Sequence, residues 1–161
     1  MSLHRDKTGE KNLLLILKNK VTYRENLKLM IKFNELKVGD LVIAEYDGQR
    51  WEGEVVRLNN DEKQVCVQTE VQDFWFEKEQ LYPITLDESQ LFKLGFQKQE
   101  NEDGSIKYSK GAFRVLIHAP NSFSNFEMWY REDRRHINDP IFVHEFQNKY
   151  LQMTKVHLTT A

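Results

Sequence analysis

One cysteine, Cys66, stands in 161 residues, so an intramolecular disulfide and a four-cysteine zinc site are both excluded. A lone thiol suits a reducing compartment. Three prolines and seven glycines are too few for a collagen-like or low-complexity chain. The longest apolar run is Leu13 to Leu17. That is too short for a membrane span of about 20 residues or a signal-peptide core of about 7–15. A dominant charge is missing too. With 23 basic against 25 acidic residues the net charge is −2, and no global positive field draws in nucleic acid or an anionic membrane. No Gly-x-Gly-x-x-Gly, Walker or Gly-x-Ser-x-Gly sequence occurs, so the common phosphate loops and the hydrolase elbow are absent. These absences describe a soluble, cytoplasmic chain, with no cofactor, no metal and no membrane partner expected.

What is present is a core-forming composition. Hydrophobic residues make up 40 % and aromatics 12 %, more than a disordered chain carries. Charge is spread unevenly. Residues 1–34 hold eight bases and three acids, a net +5, which leaves −7 for residues 35–161. In this basic leader Leu13, Leu14, Leu17 and Val21, then Leu27, Met30 and Ile31, recur at helical spacing. Residues 1–33 are therefore read as a basic helical arm, with Thr22 a candidate cap between two short helices. It packs on the body or on a second copy, or seeks a membrane or nucleic acid. Met30 is an alternative start, in which case the arm is not native.

Residues 34–84 change period from helix to strand. Strands are expected over 41–46, 51–58, 64–69 and 74–76, with turns at Asp47-Gly48 and Asn59 to Glu62. Leu81-Tyr82-Pro83-Ile84 closes the unit. Four or five short strands suggest a small closed antiparallel barrel. Residues 85–161 form a second module. Thr85 or Asp87 caps a short helix through Leu91, Phe92 and Leu94, which Gly95 stops. Three to four strands follow, over 96–99, 106–108, 112–118 and 126–131. Pro140 suits the first turn of a last helix, on which Val143, Phe146, Tyr150 and Met153 form one apolar stripe facing the sheet. The fold class is α+β: a small antiparallel barrel, then a helix-flanked antiparallel sheet.

Val38 to Gly48 followed by Trp51 to Val56, with Val65-Cys66-Val67 and the closing Leu81 to Ile84, resembles an SH3-like barrel of the Tudor type. A second resemblance spans both modules. Asn34 to Asp40, then Leu81 to Leu86 with Leu91 to Phe96, then Val143 to Tyr150 occur in the order seen in a family of small uncharacterised bacterial proteins, also found in phage and mobile elements. Its last helix carries a Val-His-x-x-Gln-Asn-x-Tyr pattern, with Glu145 and Phe146 here in place of Gln and Leu. The likeness covers about residues 34–156 and implies an architecture, but no activity.

Three constellations carry candidate chemistry. His144-Glu145-Phe146-Gln147-Asn148 is similar to a zinc-protease helix, but Asn148 stands where the second histidine ligand belongs, and asparagine ligates zinc poorly. His144, Gln147 and Asn148 share one helical flank. They form either a seam bonded to nearby backbone or a patch that reads a partner. Tyr46, Trp51, Phe74, Trp75 and Phe76 make the aromatic cluster. In the Tudor resemblance Tyr46 and Trp51 fall where two walls of a methyl-cation cage lie, while Gln68 and Val71 occupy the other two. The plain alternative is that Trp51 and Trp75 pack the barrel against the second module. Cys66, between two valines, reads as a neutral buried thiol. Arg131, Arg134, Arg135 and His136, offset by Glu132, Asp133 and Asp139, read as a mixed, solvated loop.

The reading is a non-catalytic interaction protein with a protein partner or self-association, the partner-binding candidates being His144, Gln147, Asn148, Tyr46, Trp51 and Trp75. A nucleic-acid-binding accessory protein is the alternative, less favoured because residues 35–161 lack a positive balance. The third reading is an enzyme whose site is assembled only in space.

Overall fold

Strand β1 (Leu41–Tyr46) is apolar on both faces, and the fold uses both. In the computed structural model, which describes residues 30–160, Val42 and Ala44 point into one hydrophobic core with Val55, Val67, Phe76 and Leu81. Leu41, one step along, points into the other with Leu91, Phe113 and Phe146, and Ile43 packs against that second core. Alternation along a strand makes this possible, so β1 is a wall shared by two cores. The chain from Ile31 onward forms one compact unit. Ile31 itself is buried in the first core. The helical arm and the Thr22 cap expected before it lie outside the described residues.

The first sheet has the order β4-β3-β2-β1-β5. It comprises β1, β2 (Gln49–Asn59), β3 (Gln64–Gln68), β4 (Asp73–Glu77) and β5 (Leu81–Tyr82). Every pairing is antiparallel. Asp47-Gly48 makes the expected turn from β1 to β2, with positive φ at both residues. β2 serves two partners: its first half pairs with β1 and its second with β3, across a bulge between Val55 and Arg57 that bends it. A short 3-10 turn, Lys78–Gln80, then brings β5 back to β1. No ladder joins β4 to β5, so the closed barrel expected from the sequence is an open five-stranded sheet.

Two features of the second module depart from the sequence reading. Its sheet has five strands, in the order β10-β9-β8-β7-β6: β6 (Gln97–Glu100), β7 (Ile106–Lys110), β8 (Phe113–Ile117), β9 (Phe126–Tyr130) and β10 (Asp133–Ile137). The stretch read as a solvated loop is thus an edge strand in register with β9. Its charges hid the alternation, and charged side chains are what edge strands commonly carry. Helix α2 (Val143–Thr154) starts after Phe142, not at Pro140. Phe142 is held extended by a bridge to Thr85, and its N–H donates to the Glu145 carboxylate at 3.0 Å. Helix α1 (Glu88–Lys93) begins where Asp87 accepts from the Gln90 N–H.

The α2 stripe lies where its spacing places it. Val143, Phe146, Tyr150 and Met153 are all buried, and Phe146 meets Phe96 and Phe113 at centroid distances of 5.8 and 6.2 Å. The junction between the modules is packed. Ile84 and Leu86 are buried in the second core, and the Ile84 carbonyl accepts from Val143 N–H at 2.8 Å.

Gly53 explains how closely β2 and β3 lie. A Cβ there would sit 2.5 Å from Val67 Cγ1 and 2.6 Å from the Gln68 carbonyl oxygen. The backbone oxygen cannot swing aside as a side chain can. Gly53→Ala should therefore destabilise the protein by about 1–3 kcal/mol through overpacking, read as a lower urea midpoint with an unchanged slope.

Candidate functional site

The turn before β1 is built around Asp40. Gly39 takes φ +98°, the left-handed value a type II turn requires at that position, and Asp40 N–H closes the turn on the Lys37 carbonyl at 3.0 Å. The Asp40 carboxylate folds back to accept from Lys37 N–H at 2.9 Å. The turn then extends the first sheet, with Gly39 N–H donating to Val55 O and Val55 N–H to Asp40 O.

Helix α2 lies against this turn with the polar flank that the sequence singled out. Gln147, 3 % exposed, accepts from Leu41 N–H at 2.8 Å. Its amide donates to the carbonyls of Gly39 and Leu158, each at 2.9 Å. Asn148 donates to Glu35 O at 3.0 Å and approaches the Asp40 carboxylate at 3.4 Å. His144 is 2 % exposed, its ring stacked beside Phe142 at 6.2 Å. Neither ring nitrogen has a hydrogen-bond partner, and Nε2 lies 3.9 Å from a Glu35 carboxylate oxygen. Gln147 has both donor hydrogens and an acceptor occupied inside the protein, so its chemistry is spent on joining the helix to the turn.

The segments Asn34 to Asp40, Leu81 to Leu86 and Val143 to Tyr150, separate in sequence, therefore meet along one helix. Two buried titratable groups lie in this joint. Burial, against the opposing Lys37 and Asn148 hydrogen bonds and the Lys37 charge, pushes the Asp40 carboxyl from 3.8 to about 7. Burial pushes the His144 imidazole down, opposed by the charges of Glu145 and Glu35. A groove of about 320 Å³ runs beside them, lined by Asn34, Glu35, Lys37, Glu145, Asn148, Lys149 and Gln152. Asp40 and His144 do not line it, and each instead abuts a residue that does. No group of three His, Cys, Asp or Glu side chains is arranged to hold a metal ion among the described residues.

Of the aromatic candidates, Tyr46 and Trp51 lie on the same face of the first sheet and Trp75 does not. Tyr46 and Phe74 stack at 5.9 Å with planes 18° apart, at the ends of β1 and β4 beside two turns, and are 56 % and 41 % exposed. Trp51 is half-buried, opposite Ala44 on β2. Trp75 points to the other face of the sheet, opposite Cys66, with the Arg57 guanidinium 5.6 Å from its ring. It is 45 % exposed and so does not pack the first module on the second. Cys66 is buried beneath, its sulfur 3.8 Å from Arg57 Nη2. The sequence reading counted Phe74 in the cluster without singling it out. The Phe74, Phe76 alternation was the available signal, since it puts one ring in the core and its neighbour at the rim of the same face. A third set, Arg114, Trp129 and Arg134, lies in one row across the second sheet; of these the sequence singles out only Arg134, within the stretch read as a mixed loop.

A scan against protein-family models matches no family, and a search of curated proteins finds no significant match.

Removing the Gln147 side chain would leave Leu41 N–H and two carbonyls without partners. At about 1–3 kcal/mol for each buried group left unbonded, Gln147→Ala should lower stability by more than Asn148→Ala does, as measured by chemical denaturation of both variants.

Asp40 also gives the joint a pH signature. The unfolded chain releases this proton near pH 3.8 and the folded chain only near 7. The folded form thus holds an extra proton between the two values, and stability falls as pH rises through that window. One pKa unit is about 1.4 kcal/mol, which sets an upper bound of about 4 kcal/mol. His144, held neutral, acts the other way and costs stability as pH falls below its ordinary 6.5. Asp40→Asn removes only the first effect. The variant should be more stable than the parent at pH 8, with the gap closing toward pH 4. A gap constant with pH in denaturation series would refute the assignment.

Proposed function

We propose that the chain is a non-catalytic interaction module, and that its first sheet is an SH3-like, Tudor-type unit left open at one seam. The strand order, the bent β2 and the 3-10 turn that returns β5 to β1 all support that comparison. The observation that carries the functional reading is the stacked, exposed Tyr46–Phe74 pair beside the edge strand β4. Large exposed rings beside an edge left unpaired among the described residues fit a protein partner better than a small molecule. The reading keeps the chain in the cytoplasm and keeps the likeness to the small bacterial and phage family as part of the proposal.

The edge suggests how the partner binds. Thr69 N–H bonds the Gln72 carbonyl. By antiparallel alternation the backbone groups of Asp73 and Trp75 turn away from β3, toward the open side. Glu77 N–H, next in that series, is already taken by the Gln80 side chain at 2.9 Å. An extended segment can add to Asp73 and Trp75. Two copies pairing antiparallel about Trp75 would set Asp73 against Glu77, a like-charge contact. The partner is therefore a different protein, offering an extended segment with basic residues flanking an apolar one.

Selection from a displayed peptide library should enrich such segments. An aromatic anchor at a binding centre is worth about 2 kcal/mol or more, so Tyr46→Ser with Phe74→Ser should weaken the selected peptides by about 30-fold or more at unchanged melting temperature. Asp73→Lys should shift the preference toward acidic peptides. Equal retention by parent and variants, or no enrichment, would end this reading.

A further inference from the structure

Strand alternation sorts the charges of the second sheet. On β10, Arg134 and His136 point to one face, while Asp133 and Arg135 point to the other and bond each other at 3.1 and 3.3 Å. The register then sets Arg114, Trp129 and Arg134 side by side across β8, β9 and β10. Lys107, Leu116, Glu127 and His136 form the neighbouring row. This is the face turned away from the core, since Val115, Met128 and Phe126 on the same strands are fully buried. Its one acid in these rows, Glu127, is held by Arg134 at 2.9 Å. Glu132 sits in the hairpin turn next to Arg131.

Trp129 is the fixed point of the face. Its indole N–H donates to the Arg131 carbonyl at 3.0 Å. The guanidinium carbons of Arg134 and Arg114 lie 4.8 and 5.8 Å from its ring. A recess of about 130 Å³ opens between Ala112, Arg114, Trp129 and Arg131. Arg131 is itself at φ +54°, a left-handed value that non-glycine residues adopt only at a cost. Arg114, Arg131 and Arg134 are all exposed.

We propose that this face binds single-stranded nucleic acid, with the arginines on the phosphates and Trp129 stacking a base. The proposal does not rest on the peptide reading of the first sheet. An indole between arginines on an open sheet is the combination that holds an unpaired strand without sequence preference. The −7 balance of residues 35–161 does not oppose it. Charges more than about 8–10 Å away are largely screened at physiological salt, so the field that a phosphate meets is set locally, by Arg114, Arg131, Arg134 and Lys107 against Glu127 and Glu132. A duplex does not fit. Five strands at about 4.8 Å spacing span about 20 Å, wider than the major groove of about 12 Å, which admits only a two-stranded ribbon.

The test is fluorescence anisotropy of a labelled 20-nucleotide oligothymidylate with the 161-residue chain, from 50 to 200 mM salt. Binding should weaken linearly on a log–log scale. Each lost phosphate contact lowers the slope by about 0.7 for single strands, so Arg114→Gln with Arg134→Gln should flatten it by about 1.4 and lose at least tenfold in affinity. Trp129→Leu should lose about 5- to 150-fold with the slope unchanged. Trp129→Phe should recover part of that loss, and it serves in place of the leucine variant if the latter does not fold. Arg50→Gln, on the first sheet, should change nothing. Three results would overturn the proposal: variants that bind like the parent, which would move binding off this face; a duplex of equal length that binds as tightly; or polyglutamate that competes as well as the oligonucleotide, which would make the face a general anion surface.

Discussion

The Gln147 carboxamide holds the architecture together. It is one buried group with three bonds, and each goes to a different place: the first residue of β1, the turn before it, and the tail after α2. Glutamine suits this task because it carries donors and an acceptor on one planar head. A buried charge would have needed a counter-charge, and an apolar residue would have left Leu41 N–H unbonded. The bond to Leu41 acts where β1 splits its side chains between two cores. The helix is thereby fixed to the shared wall as well as to its own sheet.

From that constraint the surfaces follow. With one face of β1 committed to each core, the first sheet presents the rims of β1 and β4, where Tyr46 and Phe74 meet. The second sheet, covered by α2 on its inner side, leaves its outer face to solvent, where Trp129 lies among arginines. The two surfaces differ in kind. One is apolar and bordered by acids on the edge strand β4. The other is an open sheet face on which arginines surround one indole. The joint between the modules holds the titratable groups that neither surface uses, Asp40 and His144.

Legibility followed physical cause. The apolar stripe of α2 was readable because a helix repeats its face every three or four residues, and nothing interrupts Val143, Phe146, Tyr150 and Met153. Asp47-Gly48 was readable because few residue pairs accept positive φ in succession. β10 was not, because an edge strand need not be apolar on either face, and Arg134 and Arg135 look alike until the register separates them. The start of α2 was misplaced because a proline at N1 is only a local preference, whereas the bridge between Thr85 and Phe142 is a tertiary fact. Of the candidate residues, the sequence placed His144, Gln147 and Asn148 on one flank. It could not say that the flank would meet the turn containing Asp40, since 106 residues separate Gln147 from Leu41. Trp75 was grouped with Tyr46 by residue type, and strand alternation sends it to the opposite face.

That 106-residue separation sets an order of events during synthesis. At about 5–20 residues per second, Gln147 is made roughly 5–20 s after Leu41, as follows from the separation. Through that interval β1 can pair with β2 and β5 on its two sides, so its edges are covered early. Its Leu41 and Ile43 face is not, because the core it belongs to is assembled from residues that come later. The nascent first sheet therefore carries an apolar face open to other chains until α2 arrives, and the late docking of that helix ends its exposure.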